Sequence, residues 1–452
     1  MGSIFTSLIN TAETLKAFER ALQVGQNNVA NAATPGFARQ RVSFEAKRFE
    51  PNLGILGGVG TDQLLSSRSP FAEQAVWRQQ HEFGKHSQQR AQLTALEPIF
   101  RVDGHAGIPR ALDQLFNAFS QLTVAPNDVS VRQIALERAG SVAREFNQTA
   151  AMIGQAVNNA DRQLRSYTEQ INSIANRIAA LNRERRANFA NDRDPGTDAV
   201  FHRTLEELAA IVNFAAVESD DGGIAIYLGG QSLLVIADRV YPIEVGVNNN
   251  GAFFHNAIGD DITDILDNGR LGATLEFRNV QLASYRAEID QLAATLADAV
   301  NQTLAAGIDA NGNSPAIDLF TYDPANPAAT LRRNGLLPEE LALALPSGPG
   351  GNGNALNLVA VGRLPLINGE SLTGAYGHLA ARVGRALESA RQQETTHEQL
   401  LGQARAFRQE LSGVSLDEEA ALMIQYQRSY QAVAQMFRAV SEMTETLFRL
   451  GR

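Results

Sequence analysis

The chain has no cysteine. No disulfide framework, thiolate metal site or cysteine nucleophile is therefore open to it. In so long a chain that absence is informative, because a protein crossing into an oxidising space gains from having no thiol to mispair. Long apolar runs are missing too. Hydrophobic residues make up 44% of the chain, yet stretches such as 233–237 fall far short of the roughly 20 residues that span a bilayer. Positive charge is in deficit: 39 Lys+Arg against 49 Asp+Glu give a net charge of −10, which argues against nucleic acid as a partner. The start has no basic segment followed by an apolar run, since the first basic residue is Lys16 and Thr6, Ser7, Asn10 and Thr11 interrupt the apolar positions. The expectation is a protein with no membrane insertion and no cleavable export signal.

What is present is length and helical periodicity. The 452 residues are enough for roughly two to four domains. Ile4, Leu8, Leu15, Phe18, Leu22 and Val29 step by fours and threes, with Thr11 and Gly25 filling the gaps, which is a heptad seam. Asn31 is expected to end that helix in a left-handed conformation, and Pro35-Gly36 suits the centre of a type II turn. Residues 37–69 read as an extended arm with no packed domain. Ser69-Pro70 with Glu73 starts a helix, and helical patterns cover 71–96, 108–123 and 128–188. The last is long enough to make a rod. Residues 214–258 switch to short β-type runs broken by glycine and asparagine. Helical spacing returns from Leu275 to Leu296, gives way to an irregular Gly/Pro/Asn-rich stretch through Glu370, and resumes over 371–411 and 416–450. A C-cap glycine, Gly413, and an N-cap serine, Ser415, separate these last two helices. The final helix carries Leu416, Met423, Tyr426, Tyr430, Val433, Phe437, Val440 and Leu447.

These patterns predict a mainly α protein with inserted β: elongated and multidomain, with terminal heptad helices pairing as a coiled coil, a long-helix bundle and a small outer β-domain. Residues 1–36 and 412–452 make the terminal assembly domain. Residues 37–213, 266–306 and 371–411 make the helical bundle with its arm, and 214–265 and 307–370 a small β-rich or irregular outer region. The two terminal helices are expected to pack Ile4, Leu8, Leu15, Phe18, Leu22 and Val29 against the apolar stripe of the last helix.

Four segments resemble ligand motifs. His81 and His86 flank a zinc-protease-like stretch, but that motif needs i, i+4 spacing, and i+5 turns the second ring about 140° away. They read as solvated helix histidines. Gly348, Gly350 and Gly353 form a bare GxGxxG containing Pro349, with no amphipathic helix expected over 354–361. Asp309 to Asn313 places glycine where a calcium loop does not take it, and reads as a turn. Arg183-Glu184-Arg185-Arg186 reads as cations complementing a helix C-terminus. No catalytic, cofactor or metal residues are assigned, and a zinc-dependent hydrolase remains only as a remote alternative.

Asn27, Asn28, Asn31, Thr34, Pro35, Gly36, Phe37 and Arg39, with 412–419 and 425–432 at the other end, resemble the paired terminal signatures of the axial proteins of the bacterial flagellum. Phe37 stands where tyrosine is more usual. The long middle helices, with 58–68, 266–272 and 307–312, are similar to the hook-associated protein 1 branch of that family; a hook or rod subunit is the nearer alternative. The resemblance implies a structural role without catalysis: a ring of subunits at the hook–filament junction. Its partners would be further copies of itself, the hook protein, and a second junction protein or the flagellin side. It further implies unfolded export by the flagellar type III apparatus to an extracellular position, with an export chaperone held on residues 416–450 beforehand.

Overall fold

The heptad step at the start does produce a helix. In a computed structural model, which describes residues 2–50, 55–100, 106–187, 194–220, 222–248 and 251–450, α1 spans Gly2–Ala30. It ends by a different device from the one expected. Positive φ outside glycine is confined, among the described residues, to Ala237 and Asn368, so Asn31 is not left-handed. Its amide instead donates back to the carbonyl and side-chain oxygens of Asn27, at 3.0 and 2.9 Å. The left-handed residue is Gly36, φ +80°, in a turn closed by Phe37 N–H donating to the Thr34 carbonyl at 3.1 Å. A Cβ on Gly36 would also meet the Ala199 carbonyl oxygen at 2.7 Å, so glycine is required there for both backbone angle and space.

The arm is a paired one. Strands β1 (Gln40–Ala46), β2 (Phe49–Glu50), β3 (Ile55–Leu56) and β4 (Val59–Ser66) pair antiparallel, β1 with β4 and β2 with β3. Helix α2 (Pro70–Leu96) begins on Ser69, whose hydroxyl accepts from Ala72 N–H, with proline in the first turn. Helix α3 (Gly107–Val124) buries Ile108, Leu112, Leu115, Phe119 and Leu122 along one face. Helix α4 (Val129–Ala187) has 59 residues, about 90 Å at the usual helical rise.

This rod serves two cores. Its first half, through Leu136, Phe146 and Ile153, packs with α3 and later helices. Its second half, through Leu164, Ile171 and Ile178, packs with α5 (Pro195–Ile211) and the inserted strands. Those are β5 (Phe214–Glu218), β6 (Ile224–Leu228), β7 (Ser232–Ile236) and β8 (Arg239–Val240), a four-stranded antiparallel meander, followed by the hairpin of β9 (Glu244–Asn248) and β10 (Gly251–His255). Helix α6 (Gly269–Glu276) continues through one π-helical turn at Phe277–Gln281 into α7 (Leu282–Ala305).

The outer position expected for the small β-rich or irregular region at 307–370 is corrected. That stretch holds β11 (Phe320–Thr321), α8 (Pro327–Thr330), β12 (Arg332–Arg333) and α9 (Gly353–Val361). Its Phe320, Leu331, Leu341, Leu343 and Leu358 are buried in the same core as α3, α7 and the first half of α4. The segment buries apolar residues singly between turns, so it has no period to read. Helix α9 likewise corrects the expectation of no amphipathic helix over 354–361, since it buries Ala355, Leu358 and Val361 along one face. The chain closes with α10 (Leu372–Ser412), packed along α2, and α11 (Leu416–Leu450), packed along α1.

Asparagines on helices pin many of the extended segments. The side-chain amide of Asn182 donates to the Ile224 carbonyl at 2.8 Å while its oxygen accepts Ile224 N–H at 3.0 Å. Asn172 does the same for Ile243, Asn279 for Ala252, and Asn301 for Phe320. An amide side chain offers a donor and an acceptor as a strand does, so each helix satisfies backbone groups that would otherwise be buried without a partner.

Candidate assembly interface

Helices α1 and α11 pair antiparallel, because Gly25 meets Met423 and, further along α1, Asn28 meets the earlier Glu419. The innermost line on α1 is Ala17, Ala21, Gly25 and Asn28, all buried. These small side chains bring the backbones close: a Cβ on Gly25 would stand 3.0 Å from Met423 Cγ. The expected seam of large apolar residues is therefore displaced. Leu8, Leu15, Phe18 and Leu22 flank the inner line and are half-buried, as are Met423, Tyr426, Tyr430, Val433, Phe437 and Val440 on α11. Val29 and Leu416 are 40% and 55% exposed and take no part in the pair's interior. The side chains of Ile4 and Leu447 lie outside the described residues. The ring of Phe44 on β1 closes the groove from above, 5.5 Å from Phe18 and 5.7 Å from Tyr426.

A buried polar lock sits at one end of the pair. Asn28 donates to the Gln40 carbonyl at 2.8 Å and accepts Gln40 N–H at 3.0 Å; it also donates to Glu419 at 3.1 Å. Arg39 Nε donates to Glu419 Oε1 at 2.6 Å and its Nη1 to Glu418 at 2.8 Å. Burial, then the Glu419 carboxylate, push the Tyr426 phenol above its ordinary pKa, so it stays neutral. The terminal motif thus divides its work. Asn27, Asn31, Thr34, Pro35, Gly36 and Phe37 shape the exit from α1, while Asn28 and Arg39 hold α11. Glu419 and Gln40, which lie in or beside the terminal signatures but were given no role there, complete the lock together with Phe44; the acidic pair Glu418-Glu419 was the available signal.

A second charged network joins this pair to the helical body. Arg68, just after the arm, donates to the Gly36 carbonyl at 2.7 Å and to Asp198 on α5 at 2.8 Å, and pairs with Glu73 on α2. Arg408 on α10 reaches Glu73 at 3.2 Å and Glu206 at 3.0 Å. Arg185, in the last turn of α4, binds Asp198 and lies 4.7 Å over the Phe201 ring, so besides complementing the helix C-terminus it is a buried member of this network. Burial raises the Asp198 pKa, but Arg68, His202 and Arg185 outweigh it and hold the carboxyl below its ordinary value. His202, stacked on Trp77, is pushed down to about 3, first by burial and then by Arg68.

The remaining motif candidates fall apart or change character. His81 is 8% exposed, not solvated, and burial lowers its pKa to about 4. The GxGxxG stretch does precede a helix, yet all sheets among the described residues are antiparallel, and no strand feeds it as a dinucleotide fold requires. Asp309 Oδ1 accepts the N–H groups of Asn311 and Asn313, both at 2.8 Å, which makes it a turn. No described helix is long and apolar enough to cross a membrane.

Comparison with known proteins places these locked terminal helices and the long helical body among the axial structural proteins of the bacterial flagellum. The model of the flagellar basal body rod FlgEFG protein C-terminal region matches residues 407–450. The model of the flagellar hook-associated protein FlgK helical domain matches residues 93–320, half of the chain, and the chain belongs to that FlgK family. Flagellar hook-associated protein 1 of Bacillus subtilis is 25% identical over 98% of each chain. That of Salmonella typhimurium is 26% identical over 68% of this chain and 58% of its own length. The flagellar hook junction protein FlgK from Burkholderia pseudomallei shares the fold, with a TM-score of 0.67 at 15% identity, covering 76% of this chain and 100% of that one. Family membership makes this a structural component that assembles with other parts of the flagellum.

Proposed function

We propose that this chain forms the junction ring between hook and filament, its copies joining through the α1–α11 pair. One observation carries the reading: the pair leaves large apolar side chains in solvent. Phe5 and Ile9, one turn apart on α1, are 45% and 56% exposed; Met436 and Met443, a heptad apart on α11, are 64% and 61% exposed. Antiparallel pairing brings all four toward the same end, and such a cluster on a soluble chain marks a surface that another molecule covers. Neighbouring copies are its occupants, with the hook protein below and a second junction protein or the flagellin side above. Before export, the apolar stripe of residues 416–450 serves as the docking surface for a chaperone, laid into a groove by its apolar face.

The double variant Met436→Glu with Met443→Glu tests the reading in cells. Bare hooks with flagellin shed into the medium, from a protein whose purified monomer melts as before, are the expected result. Normal filaments would remove this face from assembly, and absent hooks would move the chain to the hook or rod. A chain ending at Ser412 should lose its chaperone; retained binding would place that dock elsewhere.

A further inference from the structure

Helices α2 and α10 bring three candidate ligands together. His86 on α2 stacks on His397 of α10, ring centroids 4.9 Å apart and planes 18° from parallel. Glu82 lies one turn before His86 on the same face, its Oε2 3.8 Å from His86 Nε2. One ligand atom from each of the three falls within 4.8 Å of the others.

The surroundings fix which atoms are free. Gln89 donates its amide to Glu276 at 3.4 Å, so its carbonyl is the atom facing His86 Nδ1 at 2.9 Å. His86 Nδ1 therefore carries the proton, and Nε2 keeps its lone pair. His397 Nδ1 faces the Gln79 carbonyl oxygen at 3.3 Å, which leaves Nε2 as the ring nitrogen open to a ligand. Asn268 donates to Glu82 Oε1 at 2.8 Å and leaves Oε2 turned toward His86. Each ligand is held from behind by a carboxamide, the outer-shell arrangement that orients metal ligands. One ligand atom of each is within reach of a single cation, and at 3.8 Å Glu82 Oε2 and His86 Nε2 are too far apart to hydrogen-bond each other directly.

We propose that Glu82, His86 and His397 bind a divalent first-row transition-metal ion, zinc foremost, which bridges α2 to α10. Two imidazole nitrogens and one carboxylate oxygen form a borderline donor set that suits zinc, with water completing a tetrahedron. Helix α10 leads directly into the terminal pair, so the ion braces the body from which the assembly helices project.

Chelator-treated full-length protein titrated with zinc chloride in a calorimeter should take up one equivalent with micromolar or tighter affinity. At a hundredfold excess over Kd the Tm should rise by about 3 °C. His86→Ala and His397→Ala should abolish the binding, Gln89→Ala should weaken it about 10–100-fold, and His378→Ala, at an exposed histidine elsewhere on α10, should leave it unchanged. X-ray absorption of the zinc-loaded wild-type protein should count two imidazoles, which keeps the test independent of how any variant folds. No saturation below millimolar zinc, stoichiometric binding that survives His397→Ala, or fewer than two imidazoles in the absorption spectrum would overturn the site.

Discussion

At the scale of single residues the protein invests in buried charge, and its consequences are measurable. Glu419 is 4% exposed and answers both Arg39 and Asn28. Removing its charge leaves the Arg39 guanidinium, itself 8% exposed, with only the solvent-facing Glu418 as an anionic partner. Breaking a buried pair in this way costs about 3 kcal/mol. Glu419→Gln should therefore let α1 and α11 separate, seen as faster proteolysis at both ends while the middle of the chain resists. Equal cleavage rates would show that the lock contributes little. His202 gives a pH prediction. Burial and the Arg68 guanidinium hold it neutral in the folded chain, with a pKa of about 3 against an ordinary 6.5. Below pH 6.5 the unfolded chain takes up a proton that the folded one refuses, so stability falls with falling pH, by roughly 1.4 kcal/mol per pH unit once well below 6.5. Asp198 and Glu206, both held below their ordinary values, lose their stabilising contribution only in more acid solution. Between pH 6 and about 5 the slope of unfolding free energy should thus flatten in His202→Gln, and a slope identical to the parent's would assign it to other groups.

At the scale of elements the notable device is the asparagine that stands in for a strand. Asn182 is fully buried and holds both backbone groups of Ile224 as well as the Ala237 carbonyl. Leucine has nearly the same size and would gain apolar burial, yet it would leave these buried groups without that partner, at about 1–3 kcal/mol each. The polar cost wins, so Asn182→Leu should destabilise the chain by about 3 kcal/mol in a denaturant titration, and a neutral or stabilising result would mean that water replaces the amide. Such residues mark the limit of what the sequence shows. The rod α4, the start of α2 on Ser69, the meander over 214–240 and the Pro35-Gly36 turn were legible because each follows a period or a local rule. Asn182 interrupts an apolar stripe and reads as a fault in it, because its partner lies on a strand far along the chain. The inner line of α1 is illegible for a related reason: alanine and glycine carry no hydrophobic signal, so the period points to the larger residues that flank the contact.

At the scale of the whole molecule, a histidine read as solvated and an arginine in the arm turn out to connect segments remote in the chain. His86 could be judged only against His81, one turn away, whereas its neighbour in space is His397. The same holds for Arg68, which the sequence places at the end of an extended arm and the fold places where the terminal pair meets the body. Its guanidinium reaches the Gly36 carbonyl at the exit from α1, Glu73 on α2 and Asp198 on α5. Replacing it with methionine keeps much of the aliphatic stem and deletes these bonds. Glu73 retains Arg408 and Asp198 retains Arg185, so neither carboxylate is left alone and the loss should be nearer 1 kcal/mol than the several expected for a stranded charge. The larger effect is on geometry, because Arg68 ties the turn at Gly36 to two helices of the body at once. Arg68→Met should therefore keep the helicity and melting of the body while widening the range of angles between the terminal pair and the rest, which small-angle X-ray scattering of the monomer reads as a broadened distance distribution. A ring needs every copy to present its pair at one angle, so the variant should also assemble poorly despite an intact apolar face. An unchanged scattering profile together with normal assembly would mean that the angle is set by the remaining backbone contacts, the Arg39 N–H to the Ser412 carbonyl and Ser69 N–H to the Ser412 hydroxyl.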